Sequence, residues 1–241
     1  MNKLSFIAVS AIGISVVTLA AAAAIGLTSL SHGDWSFLGD DGEACVKSAN
    51  ASSSSSREFD WGDSDSVTIE VPSNIHYARG QGTKVVVKGD PAVLNHLEIK
   101  DGKIEANCHM RHWRGNTLDI TLPGREFRKF ELEGMADLFL KDLAQQELSI
   151  DIAGKGEVTA DGKVDDFKVD IAGKGDVHAK DLIVKTLKLD IAGRGDVETS
   201  PQDDANIDIA GSGDVKLYSE PKHIDTSIMG SGNVEHLAKK E

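Results

Sequence analysis

The chain is 241 residues long and carries 26 Lys and Arg residues against 39 Asp and Glu residues, which makes a formal net charge of −13. So acidic a surface excludes nucleic acid and anionic lipid headgroups as the main binding partner, because both would be repelled. The length allows one large domain or two small ones.

The first predicted element is a hydrophobic N-terminal helix. Residues 4–30 contain no charged side chain, and Lys3 supplies a basic flank. This run exceeds both the roughly 20 residues that span a bilayer and the apolar region of an ordinary signal peptide. We therefore predict that residues 1–30 form an uncleaved signal anchor, while the alanines at 20–24 leave a cleaved, secreted form open. The positive-inside rule then places the remaining chain outside the cytoplasm.

Residues 31–57 are predicted to form a disordered linker, because they are rich in Ser and Gly and offer little to bury. The chain has two cysteines, Cys45 and Cys108. In an exported protein they could form a disulfide that ties the linker to the folded domain, and the sequence leaves this pairing open. Cys108, His109 and His112 resemble a fragment of a metal site, but structural zinc needs four ligands in paired spacing, so we predict no metal there.

After the linker, alternating polar and apolar residues bounded by turn signals predict a series of short strands. They cover residues 66–71, 75–78, 84–88, 96–100, 103–107 and 118–122. Asp101 and Gly102 form a two-residue hairpin signal. We predict no amphipathic helix in this part of the chain. The fold class is therefore all-β, with a domain over 58–237 in which a front strand region, 58–127, runs directly into a repeat region, 128–237.

The repeat region contains five copies of an eight-residue motif, preceded by a degenerate copy at 131–138. The copies begin at Asp151, Asp170, Asp190, Asp208 and Ser227. From one copy to the next, the first glycines are 20, 19, 20, 18 and 19 residues apart. A steady period near 20 is typical of a solenoid, whose units cannot bury a core alone and must stack.

Each copy predicts two strands that meet at an Ala-Gly-x-Gly corner. Strict alternation predicts that Ile171 and Ile191 point inward, whereas Asp170 and Asp190 point outward. A sharp corner needs the positive φ and the close backbone approach that glycine allows. The corner glycines are Gly154, Gly156, Gly173, Gly175, Gly193, Gly195, Gly211, Gly213, Gly230 and Gly232.

The rows of outward aspartates have two interpretations. Carboxylates stacked on adjacent strands repel one another, and calcium could relieve that repulsion. Alternatively, nearby basic residues neutralise them: Lys168 and Lys188 beside Asp170 and Asp190, and Lys155, Lys174 and Arg194 beside Glu157, Asp176 and Asp196. We favour local neutralisation because the compensating charges are already present, and we predict no metal ion and no cofactor.

The chain resembles the bacterial GIN-domain family, described as "putative auto-transporter adhesin, head GIN domain". The resemblance rests on the segments 57–61, 67–72 and 84–89, on the Asp-Gly hairpin, and on the repeated Gly-x-Gly-Asp-Val. It covers roughly residues 57–237 and implies a right-handed parallel β-helix with about 19–20 residues per coil, behind an export signal. No catalytic residues are established for this family, so the resemblance implies none. The chain departs from the pattern with Lys155, Lys174 and Arg194, where Ser is frequent, and with Met135 and Ala136 in the first corner.

These features predict a non-enzymatic, membrane-anchored module of the bacterial envelope, adhesin-like or scaffolding, that contacts an unknown envelope or surface component. Its variable third-side loops, 161–166, 180–185, 200–204 and 219–223, are either the contact surface or a mere closure of each coil. One alternative is a bactofilin-like polymerising scaffold. The other is a carbohydrate-active β-helix enzyme, which requires clustered carboxylates and sugar-stacking aromatics. Candidate groups for that enzyme are the pairs Asp165-Asp166 and Asp203-Asp204, with Trp61, Tyr77, Trp113 and Tyr218.

Overall fold

A computed structural model describes residues 55–108 and 118–237 of the chain. Within these ranges no helix has the length and apolarity that crossing a bilayer requires. The predicted N-terminal helix and most of the predicted linker lie outside them. The elements are β1 Ser55–Phe59, β2 Ser66–Ile69, β3 Ser73–Ala78, β4 Val85–Gly89, α1 Pro91–Leu94, β5 Leu97–Lys100, β6 Lys103–Ala106, β7 Leu118–Thr121, β8 Lys129–Leu132, β9 Met135–Ile152, β10 Lys155–Ile171, β11 Lys174–Ile191, β12 Val197–Leu217 and β13 His223–His236.

The repeat region is a parallel β-solenoid, as predicted. Strands β9 to β13 follow one another in space as in sequence, and each pairs in parallel with the next. Equivalent residues of successive motifs stand in register, so that Ile171 lies between Ile152 and Ile191. Ile171 and Ile191 are each only 1% exposed, which confirms their predicted inward orientation. Burying each such side chain contributes roughly 1.5–3 kcal/mol, and the stacked rows of these residues form the core.

The corner glycines are required by the close approach of successive coils. A Cβ atom on Gly173 would lie 2.3 Å from the carbonyl oxygen of Gly154, and one on Gly193 would lie 2.3 Å from that of Gly173. Among the predicted corner glycines, only Gly211 and Gly230 have a positive φ. The expectation that these corners need positive φ was therefore too general, because it is the spacing between backbones that leaves no room for a side chain.

The front strand region continues the stack, but not in sequence order. Strands β2 and β3 pair in parallel with β8 and β9, and on their other side with β6 and β7. Every predicted front strand is present, with bounds within a few residues of those expected. Strand β1 also pairs antiparallel with β4, so strand structure takes in residues 55–57 of the predicted linker. Those residues alternate too briefly to be recognised as a strand without a partner.

A single turn of helix, α1, closes the front end of the solenoid and corrects the prediction of no helix there. Strand β4 pairs antiparallel with β7 on one wall, and β5 pairs antiparallel with β6 on the other. Helix α1 connects β4 to β5 across the end of the core and buries Val93 and Leu94. It begins because the Asp90 side chain accepts the N–H of Ala92 at 2.9 Å and Pro91 occupies the first turn.

One buried hydroxyl in the core leads to a prediction. Thr199 is fully buried, and its Oγ1 has no hydrogen-bond partner among the described residues. Thr199→Val keeps the shape of the side chain and removes the unsatisfied group, so we expect the free energy of unfolding to rise by about 1 kcal/mol. Chemical denaturation of both proteins measures this change. A loss of stability would show that the hydroxyl is hydrogen-bonded in solution.

Candidate functional site

One face of the solenoid carries two parallel rows of charged side chains. The carboxylate ladder occupies equivalent positions on β8 to β12 and consists of Glu131, Asp151, Asp170, Asp190 and Asp208. The lysine ladder, two residues earlier, consists of Lys129, Lys168 and Lys188. The ladders exist because side chains of equal sequence position stack on neighbouring strands about 4.8 Å apart.

Ion pairs join four of the five ladder carboxylates to the lysine ladder. The Lys129 ammonium contacts both Glu131 and Asp151, the latter at 2.9 Å. Lys168 pairs with Asp170, and Lys188 pairs with Asp190 at 3.1 Å. The hydrogen bond from Lys129 lowers the pKa of Glu131, with a further contribution from Thr68. These contacts support the local-neutralisation interpretation for this face, while calcium binding remains untested. Within the described ranges, no group of three or more His, Cys, Asp or Glu residues is arranged to hold a metal ion.

The basic residues at the corners of the described chain do not form the ion pairs that the sequence predicted. Within residues 55–108 and 118–237, no ion pair joins Lys155, Lys174 or Arg194 to the acidic residue two positions later. Instead, the carboxylate of Asp176 accepts the backbone N–H of Asp196 at 3.2 Å, and that of Asp196 accepts the N–H of Asp214 at 3.1 Å. These carboxylates therefore connect neighbouring coils where strand pairing is interrupted.

A shallow groove of about 430 Å³ runs beside the ladders, on the side of the third-side loops. Its lining combines two buried apolar residues, Leu148 and Phe167, with the lysine ladder, whose aliphatic stems are themselves apolar. We call it the lysine groove. It is lined by Arg128, Lys129, Glu147, Leu148, Ser149, Asp166, Phe167, Lys168, Thr186 and Lys188. Its volume lies within the range of small-ligand sites, but it is an open surface channel.

The prediction of loops on the third side is wrong for 161–166, 180–185 and 200–204, which are strand within β10, β11 and β12 because backbone pairing continues there with shifts of register. We keep the name third-side loops for these segments, and polar contacts join them. Lys185 pairs with Asp165 at 2.8 Å, and Lys222 pairs with Asp203 at 2.6 Å. The hydroxyl of Ser200 donates to the carbonyl of Lys180 at 2.7 Å. One member of each carboxylate pair proposed for an enzyme is thus bound to a lysine. These contacts give the loops a role in closing the coils, which does not exclude a role in binding.

Sequence reasoning missed a second charged cluster, at the front corner. Lys103 contacts Glu70 at 2.9 Å and Glu105 at 2.7 Å. A hydrogen bond from Lys103 lowers the pKa of Glu70, whereas a hydrogen bond with Glu70 raises the pKa of Glu133. The cluster could not be found by spacing, because β2, β6 and β8 are brought together only by the order in which the front strands stack.

Most of the remaining predicted site residues are buried or lie outside the described ranges. Trp61 and Tyr77 are 4% and 3% exposed and pack edge-on against Phe127, so neither can stack on a sugar. Tyr218 is exposed, and Trp113 lies outside the described residues. Cys108 belongs to a disulfide. Its predicted partner Cys45 lies outside the described residues, as do His109 and His112, so this pairing stays a prediction.

The ladder contacts predict an acid-sensitive domain. Because the pKa of Glu131 is lowered on folding, its contribution to stability is fully present above the unfolded value of about 4.3 and is lost as the pH falls through the folded value. We expect the melting temperature to fall below about pH 4, and to fall less steeply in Glu131→Gln. The control is Glu147→Gln, at an exposed carboxylate beside the ladder. Equal acid dependence in wild type and Glu131→Gln would contradict this assignment.

The geometry defines a parallel β-solenoid with charged ladders along one face, an open groove and one capped end. The family model described as "putative auto-transporter adhesin, head GIN domain" matches residues 63–221, and the chain belongs to this family. No protein with a curated description matches. The chain's fold is similar to that of a putative adhesin from Bacteroides fragilis, with 16% identity, a TM-score of 0.54, and coverage of 77% of this chain and 98% of that one. Another similar structure is a putative lipid binding protein from Parabacteroides distasonis, with 17% identity, a TM-score of 0.44, and coverage of 77% and 97%.

Proposed function

We propose that this chain is a non-enzymatic, adhesin-like module of the cell envelope that holds a rigid β-solenoid against another envelope or surface component. The observation that carries the proposal is the pairing of ionisable groups in repeating rows along the solenoid. A catalytic site normally departs from its scaffold, because it needs a few unlike groups with tuned pKa values at one point. Membership of a family described as "putative auto-transporter adhesin, head GIN domain", and the fold shared with a protein described as a putative adhesin, support the same function.

The proposed contact surface is the lysine groove together with the third-side loops beside it. Successive coils present different polar side chains there, whereas the core rows stay apolar and the five corners keep both of their glycines. A surface that varies on a rigid scaffold is where recognition is usually placed. The groove offers lysine ammonium groups, carboxylates and short apolar stretches, which suits a polar partner with both donors and acceptors.

Binding can be tested with the full chain solubilised in mild detergent. The protein should retain a component from envelope fractions of its own host, and a Lys188→Ser, Arg128→Ser double variant should lose most of that binding. The control, Lys100→Ser with Lys141→Ser, removes two exposed positive charges away from the groove. Equal binding by both double variants would rule out the groove as the contact surface.

Glycan cleavage is a second candidate function, favoured by one observation. The pKa of Glu70 is lowered and that of Glu133 is raised, which is the pattern of a catalytic base and acid. However, these carboxyls hydrogen-bond to each other, whereas a retaining glycosidase separates its pair by about 5–5.5 Å to admit the sugar. Reproducible release of sugar by the purified chain, abolished by Glu133→Gln or Asp166→Asn, would overturn the non-enzymatic proposal.

The proposal includes anchoring by residues 1–30, with the solenoid outside the cytoplasm. We expect a C-terminal alkaline phosphatase fusion to be active and the chain to resist alkaline extraction from membranes. A phosphatase fusion that is inactive while a fluorescent cytoplasmic reporter at the same position matures would reject this topology. Quantitative release of active fusion into the medium would instead indicate that the segment is cleaved.

A further inference from the structure

The two ends of the solenoid are built differently. At the front end, β1, β4 and β5 add antiparallel strands, and α1 covers the core with Val93 and Leu94. At the other end, β13 pairs with β12 on one side, and no described strand pairs with its second side. One edge of this 14-residue strand therefore presents a row of backbone N–H and C=O groups.

The core is also uncovered at this end. Ile228 occupies the same position as Ile209 and Ile191, which are 2% and 1% exposed, yet Ile228 is 44% exposed. Ile224 is 40% exposed, whereas Ala205 above it is 4% exposed. These are core residues of a coil on which no further coil of residues 55–108 or 118–237 is stacked, and they lie beside the unpaired edge.

The last coil departs from the repeat by losing both of its carboxylate rows. The carboxylate ladder, with Asp208 in the preceding coil, ends in Ser227, and the corner aspartates, with Asp214 in the preceding coil, end in Asn233. Residues 226–234 contain no charged side chain, in a chain whose formal net charge is −13. Edge strands that must remain single usually carry charges that prevent pairing with another chain. The loss of these carboxylates therefore removes a barrier to pairing at this edge.

We propose that β13 is an interface with a second copy of this chain, in a tail-to-tail dimer with twofold symmetry. The charge pattern favours a second copy as the occupant, because continued carboxylate rows would place like charges of two acidic molecules face to face. Pairing of the two edges satisfies the backbone groups, and stacking of the two open coils buries Ile224 and Ile228 of both copies.

The capped front end determines the symmetry of this assembly. Head-to-tail stacking would need an open coil at both ends and would produce a filament. Because α1 covers the core at the front end, the uncovered coil of the described chain lies at the β13 end, and a contact between two such coils closes after two copies. The dimer would present two contact surfaces at opposite ends of one extended solenoid, and the proposal does not depend on what those surfaces bind.

The test uses two substitutions whose new residues already occur at the same positions of the preceding coil, so the variant should fold. Ser227→Asp with Asn233→Asp restores the residues found at the same positions of the preceding coil, Asp208 and Asp214. The control, Gln81→Glu with Gln146→Glu, adds the same charge at exposed positions outside β13. The full chain in detergent is measured by sedimentation velocity at several protein concentrations, with circular dichroism to verify that each variant keeps its β structure.

We expect wild type and control to sediment as dimers and the Ser227→Asp, Asn233→Asp protein as a monomer, with a dissociation constant raised at least tenfold. Met229→Cys, on the same strand, should give a specific dimer with a short bismaleimide linker, whereas Gln81→Cys should not. A wild-type monomer at all concentrations, a dimer that survives the two added aspartates, or a series of growing oligomers would each overturn the proposal.

Discussion

Replacing Ile191 by Asp is expected to unfold the solenoid at room temperature. The side chain is 1% exposed and is stacked between Ile171 and Ile209 on the neighbouring coils. The change removes an aliphatic side chain, at about 2–5 kcal/mol, and places an unpaired carboxylate in an apolar core, at several kcal/mol more. Together these losses approach the whole stability of a typical domain, about 5–15 kcal/mol.

The adjacent residue provides the matched control. Asp190 faces outward and pairs with Lys188 at the surface, so Asp190→Ser should change the free energy of unfolding by only about 0.5 kcal/mol. Ile191→Leu keeps the volume and should cost less than about 1.5 kcal/mol. Circular dichroism and thermal melts of the three variants measure the difference. Similar melting temperatures for Ile191→Asp and Asp190→Ser would mean that the strand register is wrong.

Replacing Gly193 by Ala should produce the second-largest loss of stability. The added Cβ would lie 2.3 Å from the carbonyl oxygen of Gly173, a backbone atom that cannot rotate away. Relief requires neighbouring coils to separate at the corner, which lengthens their hydrogen bonds. We expect a cost of about 3 kcal/mol, at the upper end of the usual range for overpacking.

The residue after Gly193 tests whether this effect belongs to the glycine. Arg194 is exposed and occupies the same corner, so Arg194→Ala should change stability by no more than about 0.5 kcal/mol. Urea denaturation of both variants gives the comparison. If Gly193→Ala were as stable as Arg194→Ala, the coils would have to be more widely spaced at their corners than the structure shows.

Much of the repeat region could be predicted from sequence, because a solenoid repeats local chemistry. Alternation placed Ile171 and Ile191 inside and Asp170 outside, and the period placed equivalent residues on adjacent coils. The pairing of Lys168 with Asp170 also followed, since two residues on one face of a strand are neighbours. The ion pairs predicted for the basic corner residues are not formed in the described chain, because the corner aspartates accept backbone N–H groups of the next coil instead.

The sequence by itself determined the periodicity, the inward and outward faces and the family resemblance, all of which depend on neighbours within one or two coils. Only the tertiary structure decided the order of the front strands, and with it the Lys103, Glu70 and Glu133 cluster and the closure of one end by α1. It also showed that Ser227 and Asn233, which depart only slightly from the repeat, lie on the strand at the uncapped end, whose second edge pairs with no described strand. The physical reason is that pairing between strands far apart in sequence is set by the whole stack, while alternation and turn chemistry are set locally.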